Sequence, residues 1–205
     1  QILHVQGLGY EKDGVTFFKD VSFEINKDDK IALLSKDSLA LTAFYQIMEG
    51  KLEATSGTFA FGQTITPSYL PTDNAEYFNE ELNLLDWLRQ FSTDVFKNSD
   101  VLSGGEKVRC MLSKMMLTNG NMLFLNEPTN HLDLETISTL NNALVSFKSN
   151  LIFSSHDHTF TQTVANRVIE ISPNGMLDKL SSYDEYIQDE GISLQREALF
   201  DASPN

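Results

Sequence analysis

The chain is short of several things that would narrow its function at once. Its 205 residues hold one cysteine, Cys110, which excludes an internal disulfide framework and a cysteine-rich zinc site and fits a reducing compartment. Cations are scarce: 15 Lys and Arg against 29 Asp and Glu give a formal net charge of −14 at pH 7. That balance argues against a self-sufficient nucleic-acid or anionic-membrane binder, because duplex binding needs clustered Lys and Arg to release counterions. No apolar run approaches the roughly 18 residues that a membrane helix needs. Gln1-Ile2-Leu3-His4-Val5 is neither a basic leader nor followed by a long apolar stretch, so no signal peptide is expected. Internal repeats and low-complexity tracts are absent too. What remains is ordinary: 41% hydrophobic and 21% charged residues, in a chain long enough to bury a full core unaided. The expectation is a soluble, acidic, cytoplasmic domain, alone or with a small added lobe.

The local pattern alternates. Ile2–Val5, Gly14–Phe18 and Val21–Ile25 are short apolar runs between turn residues and read as strands. Ile31-Ala32-Leu33-Leu34 is a continuous apolar run, as expected of a strand buried on both faces, and Leu39–Met48 reads as a helix. Gly57–Gly62 looks like a small β element closed by glycines. Leu84, Trp87, Leu88 and Phe91 have helical spacing and suit the core of a helical lobe. The second half is regular, with a helix over Gly105–Leu117, a strand over Met122–Leu125, a helix over Leu134–Phe147, a strand over Leu151–Ser154, a helix over His158–Asn166 and a strand over Arg167–Ile171. Such alternation predicts an α/β fold with a mostly parallel sheet. From Ser182 the tail is acidic, a solvated face, then helical over Ile192–Leu199, and is expected to fray.

Three polar segments follow apolar runs. Leu102-Ser103-Gly104-Gly105-Glu106 opens a helix with two glycines, so amides can approach an anion closely and the helix N-terminus adds donors; alone, it is equally a turn with an N-cap. Met122–Leu125 runs into Asn126-Glu127-Pro128-Thr129-Asn130-His131-Leu132-Asp133, placing polar groups at a strand's carboxyl end, where open α/β sheets bind ligands. A glutamate there can orient and activate a water. Leu151–Ser154 runs into Ser155-His156-Asp157 in the same way. Other polar residues have plainer readings. Cys110 is packing, His158 is a surface residue, and His131 beside Asp133 lacks a second ligand at helical spacing for a metal.

The order LSGGE, EPTNHLD, SHD resembles an ATP-binding cassette (ABC) domain, a P-loop NTPase-like α/β fold with an antiparallel β subdomain and a helical lobe. The EPTNHLD form and the ending Tyr183-Asp184-Glu185-Tyr186 resemble the ABC-F family, soluble paired ATPases that act on the ribosome, and the wider pattern its second cassette. The likeness runs over 1–186, with a helical lobe at about 73–115, and leaves 187–205 as a C-terminal helix and tail. It implies ATP and Mg²⁺ as cofactors and a second cassette as partner. It implies that Leu102, Ser103, Gly104, Gly105 and Glu106 cap the γ-phosphate of ATP held by that partner. Glu127 would be the general base, His156 the switch histidine and Asp133 the residue of the dimer loop.

The departures from the family pattern begin at the phosphate loop. That loop should follow Ile31–Leu34, yet the chain reads Ser35-Lys36-Asp37-Ser38-Leu39-Ala40-Leu41-Thr42. The loop glycines fall on Ser35, Ser38 and Ala40, and the lysine falls on Leu41; Thr42 keeps the Mg²⁺ hydroxyl. Glycines let loop amides converge on phosphate without a Cβ in the way. A lysine at about 4 Å is worth ~4 kcal/mol at an effective dielectric of about 20, and Lys36 lies too early to replace it simply. The Mg²⁺-holding aspartate is Asn126, and the glutamine of the family's Q-loop falls on Thr72. Tyr10 is nearest to the adenine-stacking aromatic, although spacing from Phe18 puts that role closer to Lys12. Only 30 residues separate Thr72 from Ser103, as if about 20–30 residues, a helical hairpin's worth, were missing near Phe91-Ser92-Thr93-Asp94. Three functions are therefore in play: a hydrolysing ABC-F-like cassette acting in translation, a degenerate cassette serving as dimer partner, and the ATP-binding subunit of an ABC transporter.

Overall fold

The structure, a computed structural model, describes residues 1–70, 121–130 and 132–201. Two sheets organise them. Strands β1 (Leu3–Lys12) and β2 (Val15–Ile25) form a hairpin closed by Asp13 and Gly14, both at positive φ (53° and 77°), the backbone that a two-residue hairpin turn of matching twist requires. β4 (Ser56–Phe61) pairs antiparallel with the other edge of β1. The two runs expected as separate strands at 14–18 and 21–25 are one strand, β2. Asp20 (φ 54°) sits in the left-handed region between them, and a register shift opposite lets the strand bend and continue.

The second sheet has six strands in the order β5-β6-β7-β3-β8-β9. They are β5 (Pro67–Tyr69), β6 (Met122–Asn126), β7 (Asn150–Ser154), β3 (Lys30–Leu34), β8 (Arg167–Ser172) and β9 (Gly175–Lys179). All are parallel except β9, which returns antiparallel to β8. The described helices are α1 (Ser38–Met48), α2 (Leu134–Ser146), α3 (His158–Val164), α4 (Tyr183–Gln188) and α5 (Glu190–Asp201). The first four begin at a side-chain cap, from Asp37, Asp133, Asp157 and Ser182, whose oxygens accept a backbone N–H of the first turn.

Continuous apolar strands bury both faces, and their residues alternate strictly between two cores. Ile31, Leu33, Met122, Phe124 and Ile152 face the core shared with α1 and the antiparallel sheet. Ala32, Leu123, Leu125, Leu151 and Phe153 face the core shared with α2, α3 and Tyr186. The period of two puts one helical layer on each side. Aromatic rings join the first core, with Phe44 of α1 6.2 Å from Phe18 and 5.7 Å from Tyr45.

Two part-buried ion pairs fasten the β8 side of the sheet. Arg167 on β8 clasps Asp178 on β9, with Nε and Nη2 at 2.8 and 2.5 Å, and its Nη1 donates to Asp29 at 2.9 Å. Glu170, also on β8, accepts from Tyr186 and Arg196, both at 2.6 Å. The tail expected to fray is thus tied to the central sheet: α4 supplies Tyr186 and α5 supplies Arg196.

Candidate nucleotide site

Parallel strands put their carboxyl ends on one edge of the sheet. There Asn126 stands in register with Ser154, and β3, on the other side of β7, ends at Leu34. The loops that follow each strand gather Ser35, Lys36, Glu127, Ser155 and His156 around a cleft of about 220 Å³. These three loops, which the sequence spreads over 120 positions from Ser35 to Ser155, converge because their strands are neighbours.

Glu127 is positioned by its backbone. β6 ends one residue earlier, and Glu127 takes a left-handed φ of 53°, unusual for a residue with a Cβ. Its N–H donates to Ser154 O at 2.7 Å, and its own carbonyl accepts from Asn130 N–H at 3.2 Å. The carboxylate is aimed at His156: Oε1 lies 3.3 Å from Nε2, and Oε2 accepts the His156 backbone N–H at 3.3 Å. Burial raises the Glu127 pKa, and the neighbouring histidine partly opposes the rise. Beneath the pair, Tyr45 and Ser154 share a 2.9 Å hydrogen bond, and Ser154 Oγ donates to Leu33 O at 2.7 Å. Thr129 and Ser155 hydroxyls join the two loops at 2.7 Å. A half-buried carboxylate held against an imidazole can accept a proton from a water.

The phosphate loop has a different character. Asp37 is the N-cap of α1: its Oδ1 accepts the Leu39 N–H at 2.9 Å, and its own N–H donates to Ser35 Oγ at 3.2 Å. A helix N-terminus is a ready anion site, but here the chain's own carboxylate has taken it. Ala40 N–H bonds Asp37 O at 3.1 Å. Leu41, where the family resemblance leads one to expect a lysine, is buried at 7% exposure. Thr42 Oγ1 donates back to Ser38 O at 3.1 Å. Ser38 and Leu39 are exposed at the helix start, and Lys36 Nζ lies 4.2 Å from the Phe200 ring centroid. Nor does the charge around the cleft favour a triphosphate. Lys36 and Arg196 are matched there by Glu127 and Glu170, with Asp37 next to Lys36. This loop, as folded, does not fit a nucleotide's phosphates with Mg²⁺. Among the described residues no group of three His, Cys, Asp or Glu is placed to hold a metal ion. Asn126 is buried at 8% exposure.

The remaining expected residues are elsewhere or undescribed. Asp133 is exposed and caps α2, accepting Thr136 N–H at 2.7 Å, a bond that lowers its pKa. Tyr10 stacks on Phe17 with centroids 5.6 Å apart, inside the antiparallel sheet. His158, read as a plain surface residue, is exposed but bonds Asp184 at 2.5 Å and so ties α3 to α4. Thr72, Trp87, Cys110, His131 and the Leu102–Glu106 segment lie outside the described residues. Sequence reasoning missed Tyr45, Arg196 and Phe200. The one available sign was the four-residue spacing of Arg196 and Phe200, which places them on one helical face.

No protein-family model matches the chain. It is 48% identical to the Bacillus subtilis (strain 168) protein named "Uncharacterized ABC transporter ATP-binding protein YkpA", over 97% of this chain and 41% of that protein. That alignment runs over 220 residues, more than this chain's 205, so the relative has residues without a counterpart here. The Escherichia coli (strain K12) "Energy-dependent translational throttle protein EttA" is 28% identical, over 91% of this chain and 38% of that protein. The Arabidopsis thaliana "ABC transporter F family member 5" is 26% identical, over 91% of this chain and 30% of that protein. The chain therefore spans about two fifths or less of these relatives. A solved nucleotide-free ATP-binding cassette from an ABC transporter shares the fold, with a TM-score of 0.69 at 12% identity over 94% of this chain and 97% of that one. The strand-end cleft, the order of its motifs and these likenesses agree: the chain belongs to the ATP-binding cassette family, as one cassette domain with ABC-F proteins among its relatives.

Proposed function

We propose that this chain is the impaired half of a head-to-tail pair of cassettes in an ABC-F-like ATPase. In that pair it presents Leu102, Ser103, Gly104, Gly105 and Glu106 to Mg-ATP held by the partner cassette. The observation that carries this reading is the Asp37 cap, which puts a carboxylate on the helix end that would receive phosphate, beside a buried Leu41 in place of lysine. A role in translation, on the ribosome and in the cytoplasm, is part of the same proposal. It is supported by the EPTNHLD form and by the likeness to a protein named a translational throttle. The described residues contain no helix long and apolar enough to cross a membrane.

One observation favours a second reading, hydrolysis at this chain's own site. Glu127 and His156 keep a water-activating geometry at 3.3 Å. The two readings separate in the assembled pair. If this copy is impaired, Ser103→Ala lowers ATP turnover about a hundredfold, as loss of a transition-state donor does, while Glu127→Gln leaves it nearly unchanged. Calorimetric titration of this chain alone then gives no heat with Mg-ATP in the millimolar range. The opposite pattern, with Glu127→Gln abolishing turnover and Ser103→Ala tolerated, refutes the proposal.

A further inference from the structure

The C-terminal helix reaches the phosphate loop from outside the motifs that gather at the cleft. Its anchor is Glu170, whose side chain is 2% exposed. Arg196 grips that carboxylate with Nε at 2.6 Å and Nη2 at 3.2 Å, and Tyr186 donates to it at 2.6 Å. A bidentate, charge-assisted contact to a buried carboxylate fixes position as well as energy. Near the helix end, the Asn174 amide donates to Leu199 O at 2.8 Å. Phe200 follows Arg196 by one turn on the same face, and its ring meets Lys36 Nζ at 4.2 Å.

Lys36 is the only cation in the loop Ser35–Thr42, and a nucleotide's phosphates would seek it. Here an aromatic face holds it, while Asp37 holds the Leu39 N–H and Ser35 Oγ receives the Asp37 N–H. We infer that the C-terminal helix stands in for bound phosphate, ordering the Ser35–Leu41 loop through Phe200 and Lys36 so that this cassette keeps its loop conformation without nucleotide. The inference rests on the proposal that this copy's own site is idle, and it goes further by naming what replaces the ligand. Phosphate entering the cleft would have to draw Lys36 from Phe200 and displace the Asp37 carboxylate from the helix end.

Hydrogen–deuterium exchange of the whole chain tests this, read on peptides covering 33–42 and, as a control, 150–154. In the wild type, loop exchange should be the same with and without Mg-ATP. Phe200→Ala should speed loop exchange about threefold, the size of one solvent-exposed cation–π contact. Phe200→Tyr, which keeps the aromatic face, should restore the wild-type rate, and the control peptide should not change in either variant. A loop indifferent to Phe200→Ala in a nucleotide-insensitive wild type overturns this inference alone. Slowing of the wild-type loop by Mg-ATP overturns both the inference and the functional reading beneath it.

Discussion

Glu127 and His156 face each other from the ends of adjacent parallel strands, their side chains 3.3 Å apart, although 28 residues lie between them in the sequence. Burial raises the glutamate's pKa, so folding favours its neutral form. The sign follows from linkage. This contribution to stability is complete below the unfolded value and is lost as pH rises through the folded one. At neutral pH the ionised carboxylate is therefore a net cost. Glu127→Gln should raise the melting temperature by about 1–3 °C at pH 7, with the gap closing toward pH 4, in thermal melts across that range.

Arg167 should be the least replaceable cation in the described structure. Its guanidinium bridges β9 through Asp178 and the turn before β3 through Asp29, and Nη1 also donates to Glu24 O at 2.7 Å. The hydrogen bonds to Asp178, first among the causes, raise its pKa. Arg167→Met leaves two carboxylates facing each other with no counter-charge. A loss of about 3–5 kcal/mol is expected, measured as a lower urea midpoint at unchanged slope.

Gly57 is fixed by both space and backbone. Its φ is +78°, and an added Cβ would lie 2.3 Å from Gly7 C and O, backbone atoms that cannot swing away. Gly57→Ala should cost about 2–4 kcal/mol through combined strain and overlap, again read from urea unfolding. Gly14→Ala has an open surround and should cost only about 1 kcal/mol.

Much of this architecture is legible in the sequence because both sheet faces are buried. Runs such as Ile31–Leu34 and Met122–Leu125 are short, continuous and bounded by turn residues, which favours a covered strand over a helix, and their polar tips point to the cleft. The strands β5 and β9 were not legible. Pro67-Ser68-Tyr69 is too short to show a period, and β9 alternates too weakly, its residues being only partly buried. The Glu127–His156 pair follows from motif order, but Asp37's action does not. An aspartate before a helix is an N-cap by local rules and a phosphate-loop residue by family pattern, and only the bond to Leu39 decides between them. The Arg196–Glu170 and Phe200–Lys36 contacts join residues 26 and 164 positions apart. No local signal encodes such pairings, which is why the tail was expected to fray.

The strongest test of the phosphate loop is to rebuild it. Leu41 already lines the cleft, so Leu41→Lys puts an ammonium within reach of a bound phosphate. A single restored contact of this kind is worth ~4 kcal/mol at about 4 Å and an effective dielectric of about 20. Asp37 opposes it twice, by its charge and by holding the Leu39 N–H. Leu41→Lys alone should therefore give no measurable Mg-ATP binding. Combined with Asp37→Gly, which frees that donor and removes the carboxylate, it should give measurable Mg-ATP binding where the wild type gives none, as a charged hydrogen bond gained adds to the restored contact. Calorimetric titration of the three proteins decides the matter. If Leu41→Lys binds as tightly as the double variant, the Asp37 cap is not what keeps phosphate out.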